Sequence, residues 1–275
     1  MSENIQEILD LVKDVDDYYK SDKKQETFNL LLLGEKGSGK SYSARTCRKP
    51  VHIDSFDPGG TKNLKPWIEK GEIIVDTRYE SENPNKPTAY AEWKKNWTKR
   101  LKAGYFDYIG TYILDTSTTF SDAIINWVMA KDGLAGSVPR FTKDYQPQKI
   151  ELRNRIKEMC DLPCDFIMTG HLTSNKDEVS GKITNRFMTT GQGTVIIPQL
   201  FDELYVATTK LKGSEVQYYF LTARTGSDLA ATRIGTGKFD LYEKPDIKYL
   251  LKKAGLPYED KPLFKDLIKG GDVTK

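Results

Sequence analysis

The sequence predicts an α/β fold in which helices cover both faces of a mainly parallel sheet. Short apolar segments typical of strands alternate with segments of helical periodicity, an arrangement typical of parallel sheets with crossover helices. The predicted parallel strands are 28–33, 51–53, 73–75, 112–114 and 165–169. The later segments 204–209 and 216–222 alternate in polarity around a Lys212-Gly213-Ser214 turn. They predict an antiparallel extension at one edge of the sheet.

Apolar residues at helical spacing predict the helices that cover this sheet. The predicted helices are 3–20, 40–48, 88–103, 120–131, 149–160 and 247–254. The first and last of them lie outside the alternating region. We therefore divide the chain into an N-terminal helix at 1–24, a core at 25–242, and a C-terminal helix with a basic tail at 243–275.

The composition is that of an ordinary folded domain. Of the 275 residues 38% are hydrophobic and 29% charged, and the net charge is only +3, so any contact with nucleic acid must use local patches. No run of about 18 apolar residues predicts a membrane span. The acidic, amphipathic start is unlike a secretion signal, so we expect a cytoplasmic protein. Cys47, Cys160 and Cys164 are too few for a four-cysteine zinc site.

Segment 34–41 matches the phosphate-binding pattern Gly-x-x-x-x-Gly-Lys-Ser/Thr. Its glycines let backbone N–H groups surround phosphate oxygens, and the following helix points its positive end at the anion. Lys40 is placed to reach the β and γ phosphates, and the Ser41 hydroxyl to bind Mg²⁺. We therefore predict ATP and Mg²⁺ as ligands. The candidate nucleotide-binding residues are Gly34, Glu35, Lys36, Gly37, Ser38, Gly39, Lys40, Ser41 and Tyr42.

The apolar segment 112–114 ends in a carboxylate, Asp115. In P-loop enzymes an aspartate at such a strand end lies beside the phosphate loop and holds Mg²⁺, usually through water. The candidate metal-binding residues are therefore Ser41 and Asp115. The alternative is an aspartate that caps the following turn.

Two other classes of P-loop protein match the sequence poorly. The nearest match to a guanine-reading Asn-Lys-x-Asp motif is 175–178, which has Glu in the last place and lies several residues past its strand. The Asp-Pro-Gly-Gly turn at 57–60 is similar to a GTPase switch turn, but it precedes the Asp115 strand. No arginine-rich lid of a small-molecule kinase is evident.

Four segments carry a more specific resemblance: 34–41, 51–54, 112–115 and 167–171. Their order and spacing resemble the RecA-type ATPase core over about residues 27–240. They look most similar to compact phage-encoded RecA-like ATPases, a group that includes single-strand annealing recombination proteins. The resemblance implies a three-layer RecA-like P-loop NTPase core with short helical additions at both ends. It also implies assembly into a ring or filament in the cytoplasm of a bacterial host.

The resemblance implies roles for individual residues. In RecA-like proteins a carboxylate after the second strand activates the attacking water; the usual Glu is absent here, so Asp57 is the first choice and Asp54 the second. His171 stands where such proteins keep a sensor of the γ-phosphate. An arginine of a neighbouring subunit would stabilise transition-state charge, with Arg224 preferred to Arg233. The candidate catalytic residues are thus Lys40, Asp57, Asp54, His171 and Arg224.

The polar segment 174–193 has little pattern and predicts a long mobile loop. In RecA-like proteins the loop after the sensor contacts single-stranded DNA, and the resemblance implies the same partner here. Cations can pair with phosphates, and an aromatic ring can stack on a base. The candidate DNA-binding residues are Lys176, Lys182, Arg186 and Phe187. A second candidate is the loop 132–148, with Lys131, Arg140 and Lys143.

Two functions remain open from the sequence. The first is an oligomeric ATPase that binds single-stranded DNA in phage recombination or replication, with a single-strand-binding or replication protein as a further partner. The alternative is a nucleotide-switched binding module that hydrolyses ATP slowly and recruits a partner protein without touching DNA. The DNA function is the leading one, and the absent glutamate and the small net charge keep the alternative open.

Overall fold

A nine-stranded sheet lies at the centre of the protein in the computed structural model, which describes residues 2–189 and 191–270. The strands of the described residues are β1 (Asn29–Gly34), β2 (Val51–Ser55), β3 (Ile73–Asp76), β4 (Thr111–Asp115), β5 (Asp165–Gly170), β6 (Leu172–Lys176), β7 (Ile183–Phe187), β8 (Glu203–Lys212), β9 (Glu215–Leu221), β10 (Ala231–Thr232) and β11 (Tyr242–Glu243). Strands β6 and β7 form a separate hairpin.

The strand order across the sheet is β11-β9-β8-β1-β5-β4-β2-β3, with β10 paired to β8. The six strands from β8 to β3 run parallel, whereas β9, β10 and β11 pair antiparallel. One strand, β5, separates β1 from β4, so the phosphate loop and Asp115 emerge two strands apart at the same edge. The predicted α/β class, mainly parallel with an antiparallel extension, is confirmed.

Helices cover both faces of the sheet. They are α1 (Ser2–Ser21), α2 (Lys65–Glu69), α3 (Ala89–Lys102), α4 (Ser117–Lys131), α5 (Tyr145–Cys160), α6 (Gly193–Ile196), α7 (Ile247–Ala254) and α8 (Phe264–Gly270). Strand β1 is buried on both sides, because Leu31 and Leu33 pack in one hydrophobic cluster and Leu30 and Leu32 in the other. The first cluster includes α3, α4 and α5, and the second includes α7. No helix of the described residues is long and apolar enough to cross a membrane.

Two predicted elements differ in the structure. The segment after the phosphate loop is a 3₁₀ helix at Ser41–Thr46 rather than an α-helix over 40–48. The predicted mobile loop contains most of the β6–β7 hairpin, in register from Leu172 opposite Phe187 to Lys176 opposite Ile183. Most of its side chains face solvent, so the sequence lacks the alternation that identifies a half-buried strand.

A buried polar cluster lies beneath the end of β2. Asp54 is fully buried, and its carboxylate accepts hydrogen bonds from Tyr112 (2.7 Å), Trp93 (2.9 Å) and Arg100 (2.8 Å). His52 Nε2 lies 3.0 Å from the same carboxylate. Burial alone would raise the pKa of Asp54, but contacts with His52 and Arg100 outweigh it and hold the pKa below its ordinary value.

The second candidate for activating water, Asp54, is therefore wrong. Its side chain points into the interior between β2 and α3 and has no exposed surface. A carboxylate that already accepts hydrogen bonds from three side chains on a buried face cannot reach a water molecule beside a bound phosphate. The sequence could not separate Asp54 from Asp57, because the two lie only three residues apart at the end of one strand.

We expect Arg100→Ala to destabilise the protein by about 3–5 kcal/mol, because it leaves the buried Asp54 carboxylate without its cation. The stabilisation that the lowered Asp54 pKa provides is present above the unfolded-state value, about 3.9, and is lost as pH falls. The difference between variant and wild type should therefore shrink in acid. Urea unfolding across pH measures it. Lys99→Ala on the exposed side of α3 is the control, and equal midpoints for both variants would contradict a stabilising pair.

Candidate nucleotide-binding site

The phosphate loop follows β1 with glycines where the backbone needs them. Gly37 (φ +81°) and Gly39 (φ +90°) adopt left-handed conformations that favour glycine. A Cβ atom at Gly39 would also lie 3.2 Å from the ring of Tyr218. Lys40 Nζ donates to the carbonyl oxygens of Gly34 (2.7 Å) and Glu35 (2.9 Å), so its ammonium lies over the loop.

Lys40 is the buried cation of this site. Its side chain lies within the loop, and the residue is 8% exposed. Burial lowers the pKa of Lys40, although nearby carboxylates, first that of Asp115, oppose the shift. A phosphate bound at this position would supply the negative charge that compensates a desolvated ammonium.

Asp115 connects the loop to the sheet. One carboxylate oxygen accepts a hydrogen bond from Ser41 Oγ (2.8 Å), and the other accepts one from Thr169 Oγ1 on β5. Burial raises the pKa of Asp115, although the hydrogen bonds from Thr169 and Ser41 favour its ionised form. A cation at this position would favour the ionised form further.

The oxygen atoms of Ser41 and Asp115 fit Mg²⁺, which prefers hard oxygen ligands in octahedral geometry. The described residues include no group of three or more His, Cys, Asp or Glu side chains that could hold a metal ion. Mg²⁺ bound here would therefore take its remaining ligands from phosphate and water, as it does in most nucleotide sites.

Asp57 lies on a turn beside Asp115. The backbone N–H groups of Phe56 and Asp57 donate to the Asp115 carbonyl oxygen, at 2.6 and 3.2 Å. A Cβ atom at Gly60 would lie 3.3 Å from Asp57 Oδ2 and 3.4 Å from Asp115 Oδ2. The two carboxylates therefore approach each other across Gly60, and only a residue without a side chain leaves this space open.

Glu80, which the sequence did not single out, holds this turn in place. Its carboxylate accepts hydrogen bonds from Ser55 Oγ (2.7 Å) and from the backbone N–H of Gly59 (3.1 Å). Glu80 follows β3 as Asp57 follows β2, and the carboxyl ends of neighbouring parallel strands meet at one edge of a sheet. The position of Glu80 after β3 was the sequence feature that could have indicated this role, but Glu80 belongs to no known motif.

A cavity of about 570 Å³ opens over the phosphate loop. This volume falls within the range of small-molecule sites. Its lining includes the predicted residues Lys40, Asp57 and His171. Three residues from separate predicted motifs therefore surround one space, while the role of His171 as a sensor stays a prediction.

Flat side chains line another part of the cavity. Tyr42, the last predicted nucleotide-binding residue, is 40% exposed, and the guanidinium of Arg45 lies 4.5 Å from its ring centroid. Trp67 packs edge-on against the same ring, at 5.9 Å between centroids. Tyr218 and Asn63 also line the cavity. Such groups suit contact with a nucleotide base, and sequence reasoning missed Arg45, Asn63 and Tyr218 because they belong to no motif.

The two arginines predicted to act on a neighbouring subunit lie outside the cavity lining. Arg224 is exposed after β9. The guanidinium of Arg233 donates to the Gln199 carbonyl oxygen (3.2 Å) and lies 4.0 Å from the Asp202 carboxylate. Neither can serve the site of its own chain in this conformation, and a role in trans stays a prediction for both.

The predicted DNA-binding residues separate into two groups. Lys176 and Lys182 are exposed near the tip of the β6–β7 hairpin, and Arg186 is half-buried on β7. Phe187 is 2% exposed and packs in the hydrophobic core, so its predicted role in stacking on a base is wrong. Burying the apolar ring of Phe187 in the core stabilises the fold more than leaving the ring exposed to solvent would.

In the second candidate DNA-binding loop, 132–148, Arg140 is engaged by carboxylates of its own chain. Arg140 forms ion pairs with Asp132 (2.5 Å) and Asp144 (2.6 Å), which satisfy its guanidinium within the chain. Asp144 is fully buried beside the start of α5. Arg140 therefore organises the loop between α4 and α5, which weakens the prediction that this loop binds phosphates.

Similar proteins are found among solved structures but not among curated sequences. Comparison with curated protein sequences gives no match. A KaiC-like protein from Pyrococcus horikoshii OT3 is similar in structure, with 11% identity, a TM-score of 0.41, and 76% of this chain and 83% of that chain covered. The flagellar accessory protein FlaH from Methanocaldococcus jannaschii has 11% identity, a TM-score of 0.42, and coverage of 78% and 83%. Similarity this low carries no information about function.

A family model described as AAA domain, AAA_24, matches residues 26–232. The match spans more than half of the chain. It includes the phosphate loop, Asp57, Asp115 and His171, which the structure brings to one edge of the sheet. The chain therefore belongs to this AAA domain family.

Proposed function

We propose that the protein binds ATP with Mg²⁺, hydrolyses it, and binds single-stranded DNA as an oligomer in phage recombination or replication. The observation that carries the hydrolase part is that Lys40, Ser41 and Asp57 line one cavity, while the buried Asp115 binds Ser41 from a third strand end. A cation, a metal-ligand pair and a free carboxylate are the groups that phosphoryl transfer to water requires.

Each side chain has a role in this proposal. Lys40 binds the β and γ phosphates, exchanging its two carbonyl contacts for phosphate oxygens. Mg²⁺, when bound, neutralises charge on the same phosphates. Asp57 accepts a proton from the attacking water, for which it must lie within hydrogen-bond reach in the bound state. Glu80 keeps Asp57 in place by holding its turn through Ser55 and Gly59.

We expect Lys40→Ala to weaken ATP binding by at least about tenfold, because the variant cannot form charge-assisted hydrogen bonds to the phosphates. Calorimetric titration with ATP and Mg²⁺ measures the affinity. Lys102→Ala on α3 is the control, since Lys102 is an exposed cation that does not line the cavity. Unchanged affinity in a folded Lys40→Ala protein would falsify the assignment of the phosphate loop.

Asp57→Asn should lower the rate of ATP hydrolysis by about 10²-fold or more, because the amide cannot accept the proton. Binding of ATP should change little, since Lys40 and the loop remain intact. Steady-state phosphate release and a separate binding titration distinguish the two effects. Asp107→Asn, an exposed carboxylate that does not line the cavity, is the control. A wild-type turnover number in Asp57→Asn would leave Asp57 as a turn former only.

Support for the DNA part comes from the hairpin tip. Lys176 and Lys182 are exposed there, on an antiparallel hairpin that is separate from the main sheet. Two lysines on one hairpin can contact neighbouring phosphates of a single strand. Asp177, which accepts hydrogen bonds from the backbone of Val179 and Ser180, shapes the turn between them.

Replacing Lys176 and Lys182 together with Ala should weaken single-strand binding and reduce its salt dependence. The slope of log affinity against log salt should shrink by about 0.7 for each DNA phosphate that a lysine no longer neutralises. Fluorescence anisotropy with a labelled oligonucleotide over a salt series gives the slope. Lys95→Ala/Lys99→Ala on α3 removes the same charge elsewhere, and equal slopes for the two double variants would remove the hairpin from the DNA site.

One observation favours the alternative, a nucleotide-switched module that recruits a protein partner. Phe187 packs in the core, so the hairpin lacks the aromatic ring that was predicted to stack on a base. Wild-type protein that hydrolyses ATP slowly, with no measurable single-strand binding in the presence of nucleotide, would support this alternative over the DNA function.

A further inference from the structure

A second cavity, which we call the hairpin cavity, lies between the β6–β7 hairpin and the main sheet. Its volume is about 260 Å³, and strands β1, β6, β7 and β8 all contribute to its lining. Most of the lining side chains are apolar. They include Leu33, Leu172, Phe187, Leu204, Val206 and Leu229. Leu172, Leu204 and Leu229 are only partly buried, so apolar surface beside the hairpin stays uncovered by the chain itself.

Arg186 is the one charged residue in the described lining of the hairpin cavity. It is half-buried, and its Nε atom is buried without a hydrogen-bond partner. Its guanidinium also forms no ion pair with the described residues. Other half-buried arginines differ, since Arg100 donates to Asp54 (2.8 Å) and Arg155 to Glu158 (2.6 Å). A buried donor without a partner costs free energy that a bound acceptor would recover.

The other polar side chains of the described lining already have partners. Asn185 Nδ2 donates to Asp228 (2.8 Å), and Asn185 Oδ1 accepts a hydrogen bond from Ser174 Oγ (2.7 Å). The hydroxyl of Thr194 donates to a carbonyl oxygen of the preceding turn (3.0 Å). Asp228 fastens the hairpin through Asn185 and does not pair with Arg186. The guanidinium is therefore the group of this cavity that is left for a ligand, and a guanidinium selects an anion.

The hairpin cavity is separate from the nucleotide cavity and smaller than it. The two share no described lining residue, and their volumes are about 260 and 570 Å³. At about 30 Å³ for each water-sized group, the smaller one holds about nine such groups. An aliphatic chain of about eight carbons that ends in a carboxylate matches this size.

We propose that the hairpin cavity binds a small amphiphilic anion, an aliphatic carboxylate of about this length. Its chain covers Leu172, Leu204 and Leu229, and its carboxylate accepts two parallel hydrogen bonds from the Arg186 guanidinium. This proposal assigns Arg186 to the hairpin cavity rather than to DNA. It depends neither on ATP hydrolysis nor on DNA binding.

Calorimetric titration of the wild-type protein with three probes tests the chemistry of the ligand. We expect octanoate to bind with a dissociation constant of about 1 mM or tighter. Butyrate keeps the carboxylate but lacks four methylene groups, and it should bind about a hundredfold more weakly or worse. Octan-1-ol keeps the chain but lacks the charge, and it should bind about tenfold more weakly. No octanoate binding, or equal affinity for octanoate and either other probe, overturns the proposal.

Substitutions at two points of the lining test the location. Arg186→Gln should weaken octanoate binding by about tenfold or more and leave octan-1-ol binding unchanged, which also shows that the cavity still forms. Val195→Trp, at a lining position that is 51% exposed, should block both probes by filling the mouth of the cavity. The matched controls are Arg153→Gln on α5 and Val138→Trp, two exposed positions outside this lining. Octanoate binding that survives both Arg186→Gln and Val195→Trp would place the ligand elsewhere and overturn the proposal.

Discussion

The buried carboxylate of Asp115 is the contact on which the arrangement of the site depends. One of its oxygens binds the Ser41 hydroxyl of the phosphate loop, and the other binds Thr169 on the strand between. Its carbonyl oxygen accepts the backbone N–H groups of Phe56 and Asp57. One residue thus fixes the ends of β1, β2, β4 and β5 relative to one another. A shift of Asp115 would move the phosphate loop and the turn that carries Asp57 together.

A second carboxylate, that of Asp54, lies beneath this edge of the sheet and stabilises the fold. Asp54 is enclosed by Arg100, Tyr112 and Trp93, and the cluster joins β2 to α3 and β4. Three residues further along, Asp57 has left the strand and faces the cavity. Of the two acids near this strand end, Asp54 is therefore part of the buried interior, whereas Asp57 lines the cavity.

The fold was predictable from the sequence because its strands are short, apolar and separated by helical periodicity. The phosphate loop was predictable because backbone geometry restricts its glycines to fixed positions. The roles of Asp54 and Asp57 could not be distinguished from the sequence. Burial of a strand residue depends on the face of the sheet that its side chain occupies, and β2 ends between these two residues. The prediction that Phe187 stacks on a base was wrong because its neighbours in the sequence are polar, and no pattern indicates that this one ring faces the core. Glu80 and Tyr218 reach the site only through tertiary packing that no local pattern reveals.

The cations that line the cavity bear on the proposed hydrolysis. The described lining has three, and two are already engaged: Lys40 with the carbonyl oxygens of its own loop, and Arg45 with the Tyr42 ring. Lys36, the third, is exposed at the loop surface. Charge that develops on a transferred phosphoryl group needs a desolvated cation at close range. Within one chain only Lys40 meets that condition among the residues that line the described cavity. If Arg224 acts from a neighbouring subunit, as predicted, it would supply a second cation, and hydrolysis would then depend on self-association.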